Sequence, residues 1–124
     1  VVVEGDQTPL DAEAEGRMLR LLGLGVRSRG VIVGVEMVRD AAKKGTLVLA
    51  VVAPDASHHS RSKVLPLLHA KHVKVIEGPS AAALGAAVGR EAAAAVGVVD
   101  RELANGIADS MKVDEMSRLQ RRSV

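Results

Sequence analysis

The run LVLAVVA, Leu47 to Ala53, is apolar at every position and rich in β-branched residues. A strand with one wet face alternates polar and apolar residues, so an uninterrupted apolar run implies a strand covered on both faces. This stretch therefore predicts the centre of a sheet with helices packed on each side. It is bounded upstream by Gly45 and downstream by the turn Pro54-Asp55-Ala56-Ser57.

Reading outward toward the N-terminus, Gly34 to Gly45 predicts a helix, with Val35, Val38 and Ala42 on one face and Arg39, Lys43 and Lys44 on the other. Before it, Val31 to Val33 reads as a short strand and Arg27-Ser28-Arg29-Gly30 as a polar turn. An earlier helix opens at Thr8-Pro9-Leu10-Asp11, where an N-cap, a first-turn proline and an acid coincide. Leu10, Ala14, Met18 and Leu21 are its expected inner line, with Gly23 and Gly25 ending it.

Reading outward toward the C-terminus, Ser57 leads into a helix that opens on His58 and His59 and reaches about Lys71, with a bend or restart expected at Pro66. Val73 to Ile76 is a strand, Gly78-Pro79-Ser80 a turn and N-cap, and Ala81 to Val88 a short helix ended by Gly89. Ala94 to Val99 is the last strand, and a final helix runs from about Arg101 to Ile107. Such alternation requires helices to cross over a largely parallel or mixed sheet. The expected fold is α/β: a three-layer α/β/α sandwich with a mixed sheet of about four strands. The 124 residues suit one domain, with a polar lead over residues 1–7 and an extension or tail over residues 110–124.

Composition removes several function classes. At 48% hydrophobic and 26% charged residues the chain is globular in character and not a disordered segment. Phe, Tyr and Trp are all absent, which argues against single-strand readers that stack bases on aromatic rings. The lack of Cys removes disulfides, a thiolate nucleophile and Cys-based zinc sites. No apolar run approaches the roughly 20 residues of a membrane span, and acids follow Val1 to Val3, so a cytoplasmic protein is expected. A first residue of Val is what is expected of a chain trimmed or cut from a longer parent.

The net charge is only +2, so attraction to phosphate must come from local clustering. Arg27, Arg29, Arg39, Lys43 and Lys44 are one such cluster if the short strand and second helix bring them to one edge. They equally suit a solvated helix face balanced by Glu36 and Asp40. Gly34, at a helix start, offers backbone N–H groups to an anion or base edge, or merely a tight turn. The loop Gly89-Arg90-Glu91-Ala92 stands at one end of the sheet as a contact loop or a plain connector.

His69 and His72 have the i, i+3 spacing of two metal ligands but lack a third, and His58 and His59 have no acid cluster beside them. No metal and no cofactor are expected. Ser57 or Ser60 beside His58 does not make a nucleophile, because helix neighbours face different directions and no nucleophile elbow is present. Gly85 to Gly89 lacks the Lys-Ser or Lys-Thr pair of a phosphate-binding nucleotide loop. With no paired acid and base in view, enzymatic activity is not expected.

Four ordered blocks carry a resemblance: GLGVRSRGVIVGVEMVRDAAKKG from Gly23, LVLAVVAPDAS from Leu47, VLPLLHAKHVKVIEGPS from Val64 and LGAAVGREAAAAVGVVD from Leu84. Together they resemble the ribosomal L7Ae/L30e superfamily of kink-turn RNA-binding proteins over about Leu19 to Ile107, and the first block looks most like its small stand-alone bacterial members. The resemblance implies an α/β/α sandwich and a structured, possibly ribosomal, RNA partner. RNA-binding members carry Gly, Asn, Glu and a basic residue at the second-helix start; this chain keeps Gly34 but has Glu36, Met37 and Asp40 at the other three positions.

The expectation is a non-enzymatic RNA-binding protein of ribosomal or ribosome-associated type, docking folded RNA on the N-terminus of its second helix. Its candidate contacts are Arg27, Arg29, Gly34, Glu36, Arg39, Lys43, Gly89, Arg90, Glu91 and Ala92. No membrane or small-molecule substrate is expected. The rival expectation is a protein-interaction module of the same fold that has lost kink-turn binding, as Glu36, Met37 and Asp40 suggest.

Overall fold

All eight residues of two strands, Leu49–Val52 (β2) and Ala95–Val98 (β4), are buried, and these strands form the middle of a four-stranded sheet. The computed structural model describes residues 12–110, so Thr8 to Asp11, the polar lead and residues 111–124 lie outside the described residues. Around the central pair stand α1 (Ala12–Arg27), β1 (Val31–Val33), α2 (Val35–Lys44), α3 (His58–Ala70), β3 (Lys74–Glu77) and α4 (Ala81–Ala87). A last helix, α5, covers residues 101–110. The strand order is β1-β4-β2-β3, with β4 antiparallel to both neighbours and β2 parallel to β3. The three-layer, mixed four-stranded expectation holds.

Alternation along the strands divides the core in two. Leu49, Val51, Val96 and Val98 pack with Met18 and Leu22 of α1, Leu84 of α4 and Ile107 of α5. Ala50, Val52 and Ala95 face the other way, onto Val38 and Ala42 of α2 and Val64 and Leu68 of α3. Each fully buried Val or Leu contributes roughly 1.5–3 kcal/mol, so both helical layers are needed to cover the pair. The apolar run read from the sequence is thus the sheet's centre, shared with β4.

Local signals explain most boundaries. Ser57 Oγ accepts from the N–H of Ser60 at 3.1 Å and Ser80 Oγ from that of Ala83 at 3.2 Å, opening α3 and α4. Asp100 Oδ1 accepts from Glu102 and Leu103 at 2.8 and 3.1 Å, opening α5. Gly45, at φ 78°, closes α2 in the left-handed conformation, its N–H turned back on Ala41 and Ala42.

Three expectations need correction. The first helix does not end at Gly23 or Gly25 but runs through both to Arg27. Those glycines allow close packing: a Cβ on Gly25 would collide with Val31 and Leu103, and one on Gly23 would lie 2.9 Å from the Ala87 carbonyl oxygen. Because the helix continues, its buried line is Ala14, Met18, Leu22 and Gly25, and Leu21 is only half-buried. Pro66 does not restart α3, which runs unbroken through it. Both Pro66 and Ser62, whose carbonyl loses its helical donor, are exposed, so the unmade bond faces water.

Gly25→Leu is expected to lower stability by about 1–3 kcal/mol through overpacking between α1, β1 and α5. Gly16→Ala, where a Cβ would meet only Arg20 at 3.5 Å, should instead raise it by roughly 0.5–1 kcal/mol through helix propensity. Urea unfolding midpoints of the two variants will separate these opposite effects.

Candidate nucleic-acid interface

The strand order sets the charge geometry of the two sheet ends. At one end β1, β2 and β3 finish, and α2, α3 and α4 begin directly beyond them. Three helix N-termini therefore share this end, each with N–H groups that have no acceptor inside the helix. The first turns of α3 and α4 contain no acid of their own, although the Asp55 carboxylate accepts from the first N–H of α4, and the first turn of α2 contains Glu36.

Gly34 is the pivot of this end. Its N–H donates to the Ala95 carbonyl at 2.9 Å, continuing the β1–β4 ladder, while its carbonyl accepts from Val38 at 3.0 Å and begins α2. It adopts φ 105° and ψ 154°, a conformation open essentially to glycine, and supplies no side-chain cap. The N–H groups that open α2 consequently point outward with no cap over them. Beside them Glu36 and Met37 are exposed, and Met37 is 51% exposed despite its apolar side chain.

The other predicted contacts fall into three places. Arg39 is half-buried on α2 and its guanidinium donates to the main-chain carbonyl of Lys63 on α3, joining the two helices. The exposed residues Gly89 to Ala92 run back along α4: the Arg90 N–H donates to Gly85 at 2.7 Å, and the Ala93 N–H to Ala81 at 3.0 Å. This loop hands the chain to Ala94, which accepts from the Ala53 N–H, and to Ala95, which accepts from Gly34. It thus approaches the Gly34 end.

Arg27, Arg29 and Lys43, with Lys44, sit at the opposite end of the sheet. Arg27 ends α1 and Lys43 and Lys44 end α2, where cations offset the negative end of the helix dipole. Arg29 occupies the turn before β1 with φ 66°. These four cations are exposed and make no ion pair among the described residues. The basic group read from the sequence is therefore split by the length of α2, ten residues or roughly 15 Å, leaving only Arg39 nearer Gly34.

Sequence reasoning missed three residues that build the Gly34 end. Arg61 donates to the Ala53 carbonyl at 3.1 Å and pairs with Glu77 at 2.7 Å, tying α3 to the ends of β2 and β3. Asp55 accepts from the Ala81 N–H at 2.8 Å, bracing the start of α4. Lys63 lies 3.3 Å from Glu36 across the α2–α3 boundary. Only the tertiary pairing of those elements makes them visible. His69 and His72 are exposed near the end of α3, and no three His, Asp or Glu side chains gather as a metal site among the described residues. No helix among the described residues is long and apolar enough to cross a membrane.

The sequence profile of the ribosomal protein L7Ae/L30e/S12e/Gadd45 family matches residues 17–108. The chain belongs to this family. It is 33% identical over 85 residues to the RNA-binding protein YlxQ of Bacillus subtilis strain 168, spanning 68% of this chain and 85% of that protein. Among solved structures it is similar to a Bacillus halodurans protein of unknown function, with a TM-score of 0.72, 28% identity and coverage of 79% of this chain and 99% of the other. A Giardia lamblia 15.5 kD RNA-binding protein shares the fold, with a TM-score of 0.72 at 20% identity, covering 89% of this chain and 94% of that one.

Because no atom lies within 4 Å of a Cβ built on Gly34, the cost of replacing it is conformational alone. Gly34→Ala is expected to lose about 1–3 kcal/mol in thermal unfolding. Gly45→Asn, at a left-handed position that asparagine tolerates, should lose less.

Proposed function

We propose that this protein binds folded RNA, as a ribosomal or ribosome-associated family member, and that the RNA docks on the end of the sheet where α2 begins. The observation that carries this reading is the start of α2 at Gly34, which has no side-chain cap, whereas the neighbouring starts of α3 and α4 are capped by Ser57, Ser80 and Asp55. Phosphates or base edges presented there would meet backbone N–H groups already held in place by the sheet. Gly34 and Glu36 would form the docking face, with Arg39 bracing it against α3, and the Gly89 to Ala92 loop would close on it from the α4 side. Membership of a family that contains a relative named as RNA-binding supports the same reading.

The cations at the far end take a different part. Arg27, Arg29 and Lys43 would meet only an RNA arm long enough to run past α2, and would add affinity without reading sequence. Glu36 and Met37 at the docking face favour recognition of RNA shape over dense polar readout, and no covalent chemistry is required. Exposed Met37 also motivates the second reading, a protein-interaction module, because an apolar side chain beside an uncapped helix start suits a protein surface.

Titration of a kink-turn, a base-paired control and a single strand at several salt concentrations distinguishes the readings. The kink-turn should bind most tightly and lose affinity as salt rises. Arg27→Glu should weaken binding and flatten the salt dependence without changing the preference among the RNAs, whereas His69→Ala should change neither. Equal, negligible binding to all three RNAs would overturn RNA binding in favour of the interaction module.

A further inference from the structure

We infer that Lys63, on α3, is a phosphate-contacting residue of this interface and that Glu36 competes with the RNA for it. The inference rests on the RNA-docking reading above and adds to it a residue outside the second helix.

Three ion pairs join described residues, and they differ in what else holds their cations. Arg17 pairs with Glu13 within α1, one turn apart on the same helix. Arg61 has Glu77 and the Ala53 carbonyl as partners, and its side chain is only 25% exposed, so it is committed to the fold. Lys63 has one side-chain partner, Glu36, at 3.3 Å, with the two side chains 43% and 71% exposed. An exposed pair of this kind is worth about 0–1 kcal/mol, so exchanging the carboxylate for a phosphate costs little.

The backbone beneath Lys63 is fixed independently of its ammonium group. Arg39 donates to the main-chain carbonyl of Lys63 and so clamps this turn of α3 to α2. The ammonium can change partners while its Cα stays in place. Glu36 stands in the first turn of α2, two residues beyond Gly34, which puts the pair beside the helix starts. Arg39 is spent on holding α3, leaving Lys63 as the cation here whose charge only a surface carboxylate occupies.

Charge balance gives the consequence. When Lys63 turns from Glu36 to a phosphate, it leaves an unpaired carboxylate beside the nucleic acid, so the patch delivers no net positive charge. Glu36→Gln removes that competitor, and Lys63 then neutralises one phosphate and releases its condensed counterion.

The test is a double-mutant cycle on the full chain, read with the same kink-turn RNA across a salt series and with thermal melts to confirm folding. Glu36→Gln should tighten binding roughly threefold to fivefold, the scale of an exposed charge pair, and steepen the log-log salt slope by about 0.7–0.9. Lys63→Gln should weaken binding by a similar factor, and the double variant should lose the gain of Glu36→Gln. If the parent binds but Glu36→Gln tightens equally with or without Lys63, Glu36 merely repels RNA and the role of Lys63 falls. If the parent binds and neither single change alters affinity or slope, the inference falls and the docking reading stands. If neither the parent nor any variant binds, both fall together.

Discussion

The antiparallel pairing of β2 with β4, from Leu49 opposite Val98 to Val52 opposite Ala95, is the constraint on which the rest of the structure depends. Neither strand carries a polar side chain, so each face must be sealed by helices. α1, α4 and α5 take one face and α2 and α3 the other. The reversed direction of β4 then brings its first residues to the ends of β1 and β2, where Gly34 and Ala53 bond to Ala95 and Ala94. A decision about core coverage thereby places a helix start and a distant loop on one rim.

That rim derives its electrostatic character from the backbone more than from side chains. Three helix N-termini meet there, while the nearby cations Arg39 and Arg61 are engaged in holding α2, α3 and β3 together and Lys63 is paired with the exposed Glu36. At the opposite rim α1 and α2 end and α5 begins, and Arg27, Lys43 and Lys44 stand against the negative poles of α1 and α2. A chain with a net charge of only +2 in this way carries two ends of different electrostatic character.

The lack of aromatic residues shapes both the core and the reading of it. A core of Val, Leu, Ile, Ala and Met is tightened by bringing elements close, and glycine permits this where α1 crosses β1 and α5. Gly23 and Gly25 therefore looked like helix terminators, because contact across the fold and local chain termination leave the same residue in a sequence. Pro66 leaves α3 unbroken for a related reason: local rules register its missing N–H, whereas only its exposed position shows that water can replace the bond. Gly34 is legible as a helix start because a tight turn is a local property, and the structure adds its φ of 105°.

What the sequence alone determined is the part governed by short-range pattern: the buried central strand, the helix faces, the caps at Ser57 and Ser80, and the sandwich that alternation demands. The family also follows from that linear order of blocks. Tertiary structure alone decided that β4 lies between β1 and β2, that Arg27, Arg29 and Lys43 stand away from Gly34, and that Lys63 meets Glu36. The physical reason is that strand order and helix pairing are chosen by the summed burial of surfaces far apart in the chain. No local window contains both sides of such a contact.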